Sequence, residues 1–153
     1  MATAQEVPRD FHEPAAVLLR GAKAASLATV SGEQPFGAWV TVAWLKDLSP
    51  VLLLSSLSIH TRQLKVNPAC ALLVVGQAAD ENPQTAPRIC VSGRAEVTED
   101  AAARAGFLTA HPYAAMYADF GDFAFWRVEL TAAHYVGGFA AAARLDVMKL
   151  RTL

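Results

Sequence analysis

Glycine-rich phosphate loops are missing from this chain: its 9 glycines form neither a Walker nor a Rossmann pattern. Cysteine is scarce as well. Cys70 and Cys90 both lie in apolar strand-like runs, so no disulfide scaffold is expected and both are read as buried, reduced thiols. No Cys/His cluster has zinc-ligand spacing, and no Ser-His-Asp order or paired-acid motif stands out. If the protein is an enzyme, a cofactor therefore carries the chemistry. Charged residues make up only 18% of the chain and the net charge is -1, which gives no general pull toward nucleic acid or an anionic membrane. Apolar runs are too short or too interrupted to span a bilayer. The opening MATAQEVPRDFHEP has no basic stretch followed by an apolar core, so no signal peptide is read and a cytoplasmic location is expected.

What is plentiful is apolar side chain, 54% of 153 residues. One small core needs less than that, and a second buried face, most simply a homodimer interface, accounts for the excess. The length fits one domain. Residues 11–145 are assigned to it, with a flexible tail at 1–10 and a C-terminal tail at 146–153.

Periodicity supplies the elements. Residues 11–22 read as a helix, 24–30 as a strand closed by the turn Ser31-Gly32. A second strand, 36–45, has two apolar faces, one through Phe36, Ala38, Val40 and the other through Gly37, Trp39, Thr41. One is expected in the core and the other against a partner. Residues 46–50 turn the chain and 51–56 return antiparallel. After a short helix come a buried strand at 69–77, a polar loop at 78–87 and a strand at 88–98. This last alternates cleanly, with Ile89, Val91, Gly93, Ala95 and Val97 on one face and Arg88, Cys90, Ser92, Arg94 and Glu96 on the other. Helical pieces follow at 98–110 and 113–120, then a long strand at 122–136. The sum is a mainly β fold with short α-helices, and hairpins join most of about six strands. A six-stranded antiparallel split β-barrel is the natural closure, because it removes edge strands.

The most informative stretch is VLLLSSLSIHTRQLKVNP, residues 51–68. A buried strand ends in Ser55 and Ser56, and a helix opened by Ser58 carries His60, Thr61 and Arg62 in its first turn. Unpaired N–H groups, a partial positive charge, hydroxyls and an arginine together suit a phosphate. The ordinary alternative is an N-cap serine with a solvated arginine.

These residues, followed by the apolar strand ACALLVV, resemble the FMN-binding split barrel family related to pyridoxamine 5'-phosphate oxidase, and most nearly its haem-utilisation (HugZ-type) branch. The resemblance extends through His60-Thr61-Arg62-Gln63-Leu64, Pro87-Arg88 with Ser92-Gly93-Arg94-Ala95, His111-Pro112 with Tyr117, Phe120, Asp122 and Phe123, and Gly137-Gly138-Phe139. It covers residues 11–145. It implies a homodimer with two sites at its interface, FMN as cofactor or haem in its place, and a small-molecule substrate. In this reading Ser56, Ser58, His60, Thr61 and Arg62 hold the FMN phosphate, backbone at Val40 and Thr41 meets the ring edge, and Arg88 flanks the cofactor. The chain departs from the pattern at Ala38, where a serine is usual, and at Ala140 and Ala141, where the family has Gly-Arg. The tail LDVMKLRTL also lacks the axial histidine that haem-using relatives supply there.

Three functions follow as expectations. The leading one is an FMN-dependent oxidoreductase acting on a small molecule. The first alternative is a haem-binding, haem-utilisation protein, for which His134 is a candidate ligand if it faces the cleft. The second alternative is a degenerate barrel without catalysis. Trp39 and Trp44 are read as core or interface aromatics, Arg88 and Arg94 otherwise as salt-bridge partners across a dimer, His111 as structural, and Asp122 as a ligand-orienting group or a strand cap.

Overall fold

The computed structural model describes residues 10–138 and 141–153. Helix α1 (His12–Gly21) turns Ala15, Ala16 and Leu19 inward, one stripe of an amphipathic helix. Strand β1 (Ala24–Ser31) then pairs with β2 (Gln34–Thr41) through a tight hairpin, where Gly32 adopts the left-handed φ of +57° that few other residues accept. One residue after β2 comes β3 (Ala43–Trp44), and it pairs with a different strand, β4 (Pro50–Ser55). Val42 lies at that change of partner. Its N–H makes the last bond toward β1, to Lys23 O at 3.0 Å, and Ala43 already opposes Val51 of β4.

Helix α2 (Ile59–Val66) follows β4, and Thr29 Oγ1 fastens it to β1 by donating to Gln63 Oε1 at 2.6 Å. The remaining elements are β5 (Ala69–Val75), β6 (Arg88–Val97), α3 (Ala101–Ala110), β7 (Phe123–Val136), β8 (Ala142–Leu145) and α4 (Val147–Arg151). Strand order is β2-β1-β5-β6-β7-β4-β3, all antiparallel, with β8 added beside β7. The first and last strands of that order, β2 and β3, are two halves of one bent strand. The chain itself thus joins the ends of the sheet and closes the barrel. Counted so, the six strands expected from sequence are all present. The additions are the break at Val42 and the extra strand β8.

Two cores result. The barrel interior holds Leu27, Val42, Leu52, Leu72, Ile89, Val91, Trp126 and Val128, sealed by the apolar stripes of α1 and α2. A second core lies outside the barrel wall, where Val51, Leu53 and Phe125 meet Phe107 of α3 and Ala114. This explains why β4 shows no alternation. Leu52 and Leu54 belong to the interior, Val51 and Leu53 to the second core, so both faces are buried.

Other details differ from expectation. Helix α3 starts later than Thr98, because Asp100 is its cap and accepts the Ala102 N–H at 3.1 Å. The segment after His111 is a short 3-10 turn, Pro112–Met116. Residues 146–153, expected as a tail, carry α4, which is capped by the Asp146 carboxylate and buries Leu150 completely. Of the expected N-terminal tail, residues 1–9 lie outside the described residues, as do Phe139 and Ala140 of the glycine-containing segment.

Candidate functional site

Register brings distant residues together on the outer wall of the barrel. Trp39 on β2 opposes Ser26 on β1, which opposes Leu73 on β5. Leu73 opposes Cys90 on β6, Cys90 opposes His134 on β7, and His134 opposes Arg144 on β8. The row crosses six strands. Beside it runs a second row, Gly37, Ala28, Ala71, Ser92 and Ala132, in which no side chain is larger than serine. A Cβ built on Gly37 would meet nothing within 4 Å. The second row is therefore a flat floor, bounded along one edge by the first row and on β6 by the exposed Arg94. Trp39 is 75% exposed, Leu73 39% and Val75 55%, an apolar surface that no other described element covers.

Of the five residues expected round a phosphate, Ser56 and Thr61 line one cavity, and Ser58, His60 and Arg62 are not among its lining residues. Ser58 does begin α2, yet its side chain makes no capping bond. Thr61 is turned inward and 1% exposed, with its hydroxyl unpartnered. With Ser56, Lys65 and Trp126 it lines a cavity of about 220 Å³ that Arg62 does not reach. Arg62 is exposed, because consecutive helical residues point about 100° apart. Partial burial holds the His60 imidazole below its ordinary pKa, which favours its neutral form. Ile59 adds no charge. The open first turn of α2 remains, with Arg62 exposed at its end and Lys65 in the cavity wall as the nearby cations.

Val40 points into the core and Thr41 is half-buried on the opposite side of β2. Arg88 is engaged by its own loop: it donates to Gln84 O at 2.9 Å, Ala86 O at 3.0 Å and Gln84 Oε1 at 3.2 Å. Trp44 is half-buried against the interior core, whereas Trp39 is on the bare face. Cys70 is buried, and burial pushes its thiol up to about 11. Cys90 is not buried as expected. It is half-exposed on the outer face, opposite His134. Asp122 is structural, accepting Ser55 Oγ at 2.7 Å with its carboxylate and Ser56 N–H at 2.8 Å with its carbonyl.

His111 is structural too, as expected, though its bonding partners were not legible. It is 2% exposed, with Nε2 2.9 Å from Val42 O and Nδ1 2.9 Å from the Tyr113 hydroxyl. A carbonyl only accepts, so Nε2 carries the proton and Nδ1 accepts from Tyr113. The carbonyl thus satisfied belongs to the residue where the strand changes partners.

Fold and face together define a split-barrel protein with one outer wall left bare. A model of the family described as Pyridoxamine 5'-phosphate oxidase matches residues 11–137, and the chain belongs to that family. It is 39% identical over 131 residues to the non-canonical heme oxygenase HOZ, chloroplastic, of Arabidopsis thaliana, a match covering 82% of this chain and 40% of that protein. Among solved structures, a heme binding protein from Mycobacterium smegmatis superposes with a TM-score of 0.88 at 29% identity, covering 95% of this chain and 62% of that one. Campylobacter jejuni ChuZ shares the fold, with a TM-score of 0.77 at 16% identity over 88% of this chain and 58% of its own. The chain thus spans less than two thirds of each of these three proteins. The resemblance to the haem-utilisation branch read from the sequence holds. No described helix is long and apolar enough to cross a membrane.

Proposed function

We propose that this protein binds haem on the bare outer face of its sheet, with a second copy of the chain closing over it. Haem is then the substrate, and reductant comes from elsewhere. The observation that carries this reading is the floor of Gly37, Ala28, Ala71, Ser92 and Ala132, five adjacent positions without a protruding side chain. A flat macrocycle can lie against such a floor; a branched ligand would leave voids. Bound haem brings a redox-active iron, an apolar ring and two carboxylates. Trp39 and Leu73 offer apolar contact and exclude water from the ring's edge. Arg94 and Arg144, both exposed and without ion-pair partners among the described residues, offer guanidinium groups to the carboxylates. The Arabidopsis relative is a heme oxygenase and the mycobacterial one a heme binding protein, which supports the same choice.

FMN-dependent oxidation of a small molecule is the second reading, favoured by the family itself and by the open first turn of α2. The scattered positions of Thr61 and Arg62 and the neutral His60 favour it less. Titration with haemin and, separately, FMN decides between them. The expected result is a sharp Soret band saturating at one haem per subunit, lost in Ala28→Trp, which raises a wall on the floor. Saturable quenching of FMN fluorescence that Arg62→Ala abolishes, with no Soret band, would replace haem by FMN.

A further inference from the structure

We infer that the cavity between α2 and the start of β7 binds a small zwitterion, a free α-amino acid with an apolar side chain. None of its lining residues belongs to either row of the bare face, so the inference is independent of the haem reading. Two buried groups carry it. Thr61 is 1% exposed and Trp126 4%, and both line the cavity. Neither the Thr61 hydroxyl nor the Trp126 Nε1–H has a hydrogen-bond partner among the described residues. Buried polar groups are nearly always bonded, and one left bare costs free energy on folding. Two of them in the wall of one cavity of about 220 Å³ indicate an occupant that supplies their partners.

The wall also selects the chemistry of that occupant. An indole N–H only donates, so the occupant carries an acceptor oxygen. Lys65 and Asp122 line the same cavity with opposite charge, yet they form no ion pair with each other. Asp122 engages one carboxylate oxygen, Oδ2, which accepts from Ser55 Oγ at 2.7 Å. Its Oδ1 has no partner among the described residues. A simple anion, phosphate included, is opposed by Asp122, and a simple cation by Lys65. A carboxylate directed at Lys65, Trp126 and Thr61, with an ammonium directed at Asp122, satisfies both ends in one molecule. Leu54 and Ala124 make another part of the wall apolar, which suits a short hydrocarbon side chain. The volume admits an amino acid the size of valine or leucine and excludes a flavin nucleotide or haem.

The test is isothermal titration of the full chain with L-alanine, L-valine and L-leucine. Acetate and methylamine, which carry the two charges separately, are titrated beside them, and the series is repeated on Lys65→Met and Asp122→Asn. Lys65 is exposed and asparagine keeps an acceptor for Ser55, so both variants fold, and far-ultraviolet circular dichroism checks this. The expected result is saturable binding of at least one of the three amino acids, one per subunit, with a rise in the thermal midpoint. Each variant weakens that binding on the order of tenfold. Acetate and methylamine bind more weakly than the amino acid. Acetate bound as tightly as the amino acid, and more tightly still by Asp122→Asn, makes this an anion site and overturns the zwitterion. A thermal rise that is the same in Lys65→Met and Asp122→Asn as in the wild type is a solvent effect and also overturns the inference. So does the absence of binding by all three amino acids, whatever haemin titration gives.

Discussion

Over β4 and the first half of β7 the outer wall of the barrel is roofed by α3 and the turn that follows it; over β1, β2 and β5 it is bare. The two walls differ in side-chain size. Under the roof are Val51, Leu53 and Phe125, which interlock with the fully buried Phe107. The bare wall presents glycine, alanine and serine, with Trp39 and Leu73 at its edge. Large side chains gain free energy by packing against a helix of the same chain, at about 25 cal/mol for each Å² of apolar surface buried. Small ones gain little that way. They let a flat ligand or a second backbone approach closely. One wall is thus built for stability; the other is the one on which the proposed association would take place.

The largest effect that separates the walls is expected from Phe107→Ala. Emptying the centre of the second core costs about 3–5 kcal/mol, read as a lower urea midpoint. His111→Phe comes next. It keeps the ring but leaves the buried Val42 carbonyl without a donor, at a cost of about 1–3 kcal/mol in the same assay. Smaller still is the contribution of Asp47. Burial opposes its ionisation, but hydrogen bonds from the Ser49 N–H and hydroxyl, together with Arg151 and Arg127, outweigh it and hold the carboxyl below its ordinary 3.8. A carboxyl depressed in the folded state stabilises fully above its unfolded pKa and loses that contribution as pH falls through the folded value. Stability should therefore drop as pH is lowered from about 4, and the drop should be shallower in Asp47→Asn. Trp39→Asp, on the bare wall, should change unfolding of the isolated subunit by no more than about 0.5 kcal/mol. Its effect belongs to association, read as a shift from dimer to monomer in sedimentation. A loss of fold in this variant would show that the bare wall is a core surface after all.

Local pattern carried much of this fold into the sequence. The alternation of β6 names its inner and outer residues correctly as far as Glu96, because strand side chains have a strict period of two; Val97, expected on the inner face, is 54% exposed where the strand ends. The Ser31-Gly32 turn, the serine before α2 and the uninterrupted apolar run of β4 are equally local. What was hidden depends on contacts made elsewhere. Strand β8 has an alanine-rich sequence with weak strand preference and exists because β7 is long enough to pair with two strands on one side. Helix α4 is too short to form alone; it is fixed by the burial of Leu150 and by the ion pair between Lys149 and Asp10 at 2.5 Å. The break at Val42 carries no glycine or proline signal, and the side chain that bonds its carbonyl is a histidine 69 residues away. The candidate site was the least legible part. Cys90 and His134 meet only through the β6–β7 register, and no periodicity within either segment states that pairing.

The bent strand has a consequence for how the chain reaches its native state. Strands β1 and β2 are joined by two residues and can pair on the microsecond scale of hairpins. The seam is different, because β3 and β4 have nothing to close against until β7 arrives. The contact that locks it, Arg127 on Asp47 at 3.1 Å, joins residues 80 apart. Loop-closure entropy must be met before that pairing gives anything back. A nascent chain is therefore an open sheet with both flanks unpaired until residue 123 and beyond have emerged, and the barrel becomes a barrel only with its last long strand.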